Sequence, residues 1–149
     1  MSTLELAEAL GTEKHKDQRD LAGKPYIGHL KRVADKLTTN DQKIVGWLHD
    51  LLEDTDVTAQ YLLRLGFTED IVHAIQALTR LPGESKIDAV QRTIKNELAT
   101  LVKIADVQDN MDLSRLPEVT ERDLKRHAKY VDVLNILLEA KSGFDNSAN

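Results

Sequence analysis

Apolar positions recur at three- and four-residue intervals along nearly the whole chain, the pattern of helices that each bury one face. In VADKLTTNDQKIVGWLHDLLEDTD, Ile44, Trp47, Leu48, Leu51 and Leu52 form such a stripe, and Asn40 stands where an N-cap would. Thr68 opens TEDIVHAIQALTR with acidic residues in its first turn, which suits the helix dipole, and Leu81-Pro82-Gly83 should stop that segment. Ser85 can cap SKIDAVQRTIKN, and Asn96 can begin NELATLVKIADVQDNMDL, where Leu98, Leu101, Val102 and Ala105 give a buried stripe. Pro117 ends the next loop. Thr120 and Asp123 then make a capping arrangement before a long terminal helix, with Leu124, Ala128, Val131, Leu134 and Leu138 along one side. No alternating pattern of useful length predicts a strand. The expectation is an all-α, compact bundle of about six to eight helices joined by short loops. It predicts a single domain over residues 1–142 and a frayed tail over 143–149.

With 149 residues the chain is long enough to bury a core without staples. Aromatics make up only 4% of a 41% hydrophobic content, so Leu, Ile, Val and Ala must fill that core, with Trp47 as an anchor. The absence of cysteine excludes disulfides, thiolate metal sites and a cysteine nucleophile. A net charge of −5 argues against nucleic acid as a partner. An anionic ligand would need local attraction, for which Lys14, Lys16, Arg19, Lys24 and Lys31 are placed close together in sequence. No apolar run approaches the roughly 20 residues of a membrane span, and the opening residues lack a signal core, so a cytoplasmic protein without a membrane partner is expected.

The chemistry concentrates in Trp47-Leu48-His49-Asp50-Leu51-Leu52-Glu53-Asp54-Thr55. On a helix, His49 and Glu53 lie one turn apart, as do Asp50 and Asp54. These titratable groups share a helix with Leu48, Leu51 and Leu52, and half-burying them without a partner is costly. A divalent cation supplies that partner; a solvated acidic face is the plainer alternative. Adjacent helical positions differ by about 100°, so His49 and Asp50 would have to converge on an ion wedged between them. Upstream, His29 begins the helical run Leu30-Lys31-Arg32-Val33-Ala34. Downstream, Asp106 follows Ile104-Ala105 and needs a cation or several donors, with Asn110 one turn later. Two imidazoles and two carboxylates suit manganese, iron, zinc or cobalt better than calcium.

The order His29, His49-Asp50, Asp106 resembles the H…HD…D signature of the HD-domain phosphohydrolases. The likeness is closest to the hydrolase domain of RelA/SpoT-type enzymes and their small single-domain relatives, which remove pyrophosphate from the 3′ position of (p)ppGpp. It is carried by HKDQRDLAGKPYIGHLKRVA, VGWLHDLLEDTDVT, AIQALTR and VKIADVQDNMDLSRLP. The resemblance implies an HD-domain fold and a divalent ion, manganese first, held by His29, His49, Asp50 and Asp106. It gives Glu53 and Asp54 the role of positioning or deprotonating the attacking water. Arg19, Lys24, Tyr26 and Asn110 fall in its substrate-contacting segments, and the implied partner is a nucleotide polyphosphate.

The chain departs from the family phrases at Leu30, at Val107-Gln108-Asp109 and at Lys86. Two alternatives therefore stand beside the first: hydrolysis of another nucleotide (NADPH, a deoxynucleotide or a nucleoside phosphate), and a non-catalytic nucleotide-sensing module. Of the other histidines, His15 is expected at the surface, His73 in packing and His127 facing solvent. Lys125-Arg126 reads as a solvated basic patch.

Overall fold

The computed structural model describes residues 3–147. Its helices are α1 (Thr3–Lys14), α2 (Ile27–Asp35), α3 (Asn40–Leu48), the single turn α4 (Leu51–Asp54), α5 (Ala59–Arg64), α6 (Glu69–Leu78), α7 (Lys86–Thr93), α8 (Glu97–Asn110) and α9 (Glu121–Ser147). A 3-10 turn, Leu113–Arg115, lies between α8 and α9. Among the described residues the only β feature is an isolated bridge between Arg19 and Pro25, and no helix is long and apolar enough to cross a membrane. The all-helical architecture expected from the periodicity is the one observed.

Helix starts follow local capping chemistry. Thr58, Thr68, Ser85 and Asn96 each accept a hydrogen bond from a backbone N–H in the first turn of α5, α6, α7 and α8. Thr120 and Asp123 cap α9 reciprocally: each backbone N–H is bonded by the other's side-chain oxygen. At α3 the cap is Thr39 rather than Asn40. Thr39 accepts from Gln42 N while the Gln42 side chain accepts from Thr39 N, a reciprocal arrangement that Asn40 cannot make from inside the first turn.

Two apolar clusters hold the fold. The larger joins α1 to α6 and α8 through Ala7, Leu30, Val33, Ile44, Val45, Leu48, Leu51, Leu62, Ile75 and Val102, with Trp47 buried among them as expected. Gly11 lets α1 approach α3 closely, since a Cβ there would stand 2.9 Å from the Trp47 carbonyl oxygen. The smaller cluster joins α7, α8 and α9 through Val90, Ile104, Val107, Val133 and Leu137. Helix α8 is shared by both, and Asp106 sits on it between residues that face one core (Ala105) and the other (Val107).

The apolar face of α9 differs from expectation. Leu124, Val131 and Leu138 are exposed, as is Ala128, and Leu134 is half-buried. The buried positions are Val133 and Leu137, flanked by Tyr130, Leu134 and Ile136. Because α9 touches α7 and α8 on one narrow side, only a thin stripe is covered, and sequence alone did not fix which. The helix also runs on through 143–147, where fraying was expected; positions 148–149 of that tail lie outside the described residues.

Candidate active site

The site begins with a break in a helix. Residues 40–54 are not continuous: α3 ends at Leu48, His49 and Asp50 form a turn, and α4 restarts at Leu51. Asp50 adopts φ −100° and ψ 2°, the bridge region between helix and strand. The break removes the 100° divergence of an unbroken helix and lets neighbouring side chains converge. It also exposes the last carbonyls of α3, and His49 Nδ1 donates to one of them, Gly46 O, at 2.7 Å. That bond places a proton on Nδ1, so Nε2 is the nitrogen turned to the site.

His49 Nε2 is buried and makes no hydrogen bond, although Asp50 Oδ2 lies 3.1 Å away and Asp106 Oδ1 3.3 Å away. A lone pair facing two carboxylates is unfavourable unless a proton or a metal ion lies between them. His29, from α2, presents Nε2 2.9 Å from the same Asp106 Oδ1. The ligand atoms of His29, His49 and Asp50 lie within 4.8 Å of one another, and Asp106 meets both imidazoles. Three helical elements thus bring two nitrogens and two carboxylates together, a donor set that fits a divalent transition ion.

The electrostatics express the same demand for positive charge. Burial disfavours a charged His49, but Asp50 and Asp106 outweigh it and push the imidazole well above its usual value. Burial likewise opposes ionisation of Asp106, yet Lys103, His49 and His29 hold its carboxyl well below the usual range. Lys103 Nζ donates to Asp106 Oδ2 at 2.8 Å, and Asn110 Nδ2 to Asp106 Oδ1 at 3.1 Å. The Tyr26 hydroxyl donates to Asp50 Oδ2.

An outer layer orients these groups. His29 Nδ1 donates to Asp109 Oδ2 at 2.6 Å, which leaves Nε2 for the site. Asp109 in turn accepts from Arg32 Nε at 2.8 Å and from Arg115 Nη2 at 3.3 Å. Burial resists charge on Asp109, but His29 and Arg32 hold its carboxyl down to about 2. Carboxylate–histidine pairs of this kind orient metal-binding imidazoles and raise their basicity.

Two clefts open beside the cluster and share Asn110 and Tyr130. The smaller, about 230 Å³, is lined by Arg19, Tyr26, His29, Arg32, Arg115 and Arg126 among others. The larger, about 580 Å³, runs between α7 and α9 past Asp50, Glu53, Arg80, Lys86, Lys103 and Lys129. Burial first, and then repulsion from the neighbouring Lys129, Arg126, Arg80 and Lys103, push the Lys86 ammonium down. Lys86 also lies over the Tyr130 ring, 5.5 Å from its centre.

No family model matches the chain. Individual relatives do. It is 30% identical over 121 residues to the guanosine-3′,5′-bis(diphosphate) 3′-pyrophosphohydrolase of Aquifex aeolicus, covering 72% of this chain and 17% of that one. It is 32% identical over 130 residues to the zebrafish (Danio rerio) guanosine-3′,5′-bis(diphosphate) 3′-pyrophosphohydrolase MESH1, covering 76% of this chain and 72% of that protein. The chain belongs to the HD-domain guanosine-bis(diphosphate) pyrophosphohydrolase family. The fold agrees: a solved structure described as a metazoan ortholog of SpoT that hydrolyzes ppGpp superposes with a TM-score of 0.74 at 22% identity, covering 98% of this chain and 93% of that one. The chain spans only 12% to 17% of the length of the bacterial relatives from Aquifex aeolicus, Mycoplasma genitalium and Synechocystis.

Of the residues that the family resemblance singles out, His29, His49, Asp50 and Asp106 come together, and Tyr26 and Asn110 bond to two of them. Arg19 lines the smaller cleft. Lys24 does not: it is exposed and lines neither cleft. Lys14, Lys16 and Lys31 are engaged in ion pairs with Asp56, Glu13 and Asp35, so the expected basic cluster in that stretch contributes only Arg19. Glu53 lines the larger cleft and accepts from Arg80 N at 2.8 Å. Asp54 accepts from Gln18 Nε2 at 3.2 Å.

The remaining histidines are placed differently from expectation. His15 is buried, 1% exposed, with its ring 5.3 Å from that of Tyr26. His73 is exposed, because α6 turns its Ile71, Val72, Ala74 and Ile75 inward instead. His127 is half-buried in the smaller cleft with Arg126, rather than free in solvent. Asp109, Arg32, Arg115 and Lys103 were not singled out as site residues. For three of them the signal was the helical interval: Asp109 and Lys103 stand three positions either side of Asp106, and Arg32 three after His29, whereas Arg115, past the end of α8, carried none.

Proposed function

We propose that the chain is a metal-dependent phosphohydrolase that removes pyrophosphate from the 3′ position of (p)ppGpp, with manganese or a similar ion held by His29, His49, Asp50 and Asp106. The observation that carries this reading is the buried, unbonded His49 Nε2 facing Asp50 and Asp106, with His29 alongside. A bound divalent ion supplies Lewis-acid polarisation of a phosphoryl oxygen and lowers the pKa of water.

The chain's own residues do the rest. Partial desolvation and the Asp50 charge push the Asp54 carboxyl up, toward the range that suits a general base. Water adds to the phosphorus joined to the 3′ oxygen, Asp54 takes the water's proton, and the 3′ oxygen leaves with its bonding pair and takes up a proton from solvent, to which Asp54 returns its own. The products are pyrophosphate and a nucleotide with a free 3′ hydroxyl. Glu53, tied to Arg80 N, holds the loop before α7 against the larger cleft. Lys86, Lys129 and Arg80 offset phosphate charge from one side, and Arg19 from the other. Tyr26 and Asn110 hold Asp50 and Asp106 in orientation.

The test is incubation of the manganese-loaded protein with ppGpp. GDP and pyrophosphate in equal amounts are expected; a metal-loaded protein that yields neither loses this substrate. A second reading keeps the chemistry and changes the nucleotide. It is favoured by Val107-Gln108-Asp109, where the chain departs from the family phrase directly after Asp106. Phosphate and pyrophosphate release across a nucleotide panel separates the two.

A further inference from the structure

The loop from α1 to α2 grips both ends of α4. Its Tyr26 hydroxyl reaches Asp50, the residue that precedes α4, and its Gln18 amide reaches Asp54, the residue that ends it. Gln18 is itself held at the backbone, donating to His15 O at 3.0 Å and accepting from Tyr26 N at 2.9 Å. Its side chain is fixed from the other end by His15 Nδ1, 2.8 Å from Gln18 Oε1.

Hydrogen-bond polarity makes this chain of contacts directional. An ionised Asp54 only accepts, so the Gln18 group facing it must be the NH₂. Gln18 Oε1 therefore faces His15, and His15 Nδ1 must carry the donated proton. His15 is 1% exposed, and its other nitrogen, Nε2, is buried without a partner. A buried imidazole retained with one nitrogen unsatisfied is costly for packing alone. Its useful bond is the one to Gln18.

We propose that Gln18 is a positioning residue for Asp54 and that His15, as the Nδ1–H tautomer, sets the direction of the Gln18 amide. Gln18 occupies Asp54 Oδ2, which leaves Oδ1 to receive the proton of the attacking water. The proposal rests on the reading of Asp54 as general base.

Steady-state kinetics on the manganese-loaded protein test it. Gln18→Ala is expected to lower kcat about tenfold with KM within about twofold, the worth of one hydrogen bond to a charged group. In an Asp54→Asn background the same change should cost nothing further, because the base it positions is gone. His15→Phe should reproduce the loss, and His15→Asn, which keeps a donor near the Nδ1 position, should restore most of it. Equal losses with and without Asp54, or no loss at all, overturn the proposal. A separate readout needs no substrate: ¹⁵N NMR of His15 should show the Nδ1–H tautomer in the parent chain and its loss in Gln18→Ala. An Nε2–H tautomer in the parent chain overturns the proposal even if ppGpp is hydrolysed. The expected tautomer without any turnover of ppGpp retains the His15–Gln18–Asp54 arrangement and discards the substrate.

Discussion

His29 Nδ1 lies 2.6 Å from Asp109 Oδ2, and this contact decides which nitrogen of the imidazole faces Asp106. Asp109 is 2% exposed and is clamped by Arg32 and Arg115, so the histidine cannot rotate without breaking a buried charged network. Asp109→Asn keeps the shape but weakens the acceptor. Metal affinity should fall by about 10–100-fold, the usual effect of removing a carboxylate behind a metal-binding histidine. Titration calorimetry with Mn²⁺ checks this, and unchanged affinity would show that Asp109 serves packing only.

The acidic pair should separate in kinetics. Asp54→Asn removes the proposed base and should lower kcat by about 10²–10⁴-fold at unchanged metal content. Glu53→Gln retains an acceptor for Arg80 N, so its loss should be smaller. Parallel measurement of kcat and bound metal for both variants decides the order. Bound metal with no turnover in the parent chain or in either variant would favour a non-catalytic module.

Lys86 stands where the larger cleft gathers its positive charge, beside Tyr130 and facing Lys129 and Arg80. Lys86→Ala should raise KM for a polyphosphate substrate about tenfold and change kcat less, since one charge-assisted hydrogen bond is lost from binding. The difference should shrink at high salt. A KM that does not move would place the substrate in the smaller cleft instead.

Acid should loosen the turn that carries Arg80. Glu84 accepts from Arg92 Nε at 2.9 Å, Arg92 Nη2 at 2.8 Å and Leu81 N at 2.7 Å. The Arg92 guanidinium, with the Leu81 amide, holds the carboxyl at about 2 against an ordinary 4.5. A carboxylate held low contributes stability that is present above its unfolded value and is lost as pH falls toward the folded one. Glu84→Gln should therefore melt below the parent chain at pH 7, and the gap should close as pH falls from about 4.5 toward 2. Thermal melts at pH 7, 4 and 3 measure it. A gap that widens in acid would reverse the sign.

The chain's periodicity determined that it is helical, and its Ser, Thr and Asn residues determined most of the helix starts, because both are local properties of a few successive residues. The candidates for the site were also legible: His29, His49, Asp50 and Asp106 stood out through their order and their resemblance to a known family, and they lie together in the fold. What tertiary structure decided is how they meet. The helix breaks at His49-Asp50, which lets the two side chains converge, and Asp50 at that break is bonded from a distant loop by Tyr26. Burial of His15, the orienting role of Asp109 and the covered stripe of α9 depended on which elements lie opposite, information that no local window contains. A hydrogen bond between residues 77 or 80 positions apart, as from His29 to Asp106 and Asp109, exists only after the whole chain has closed around it.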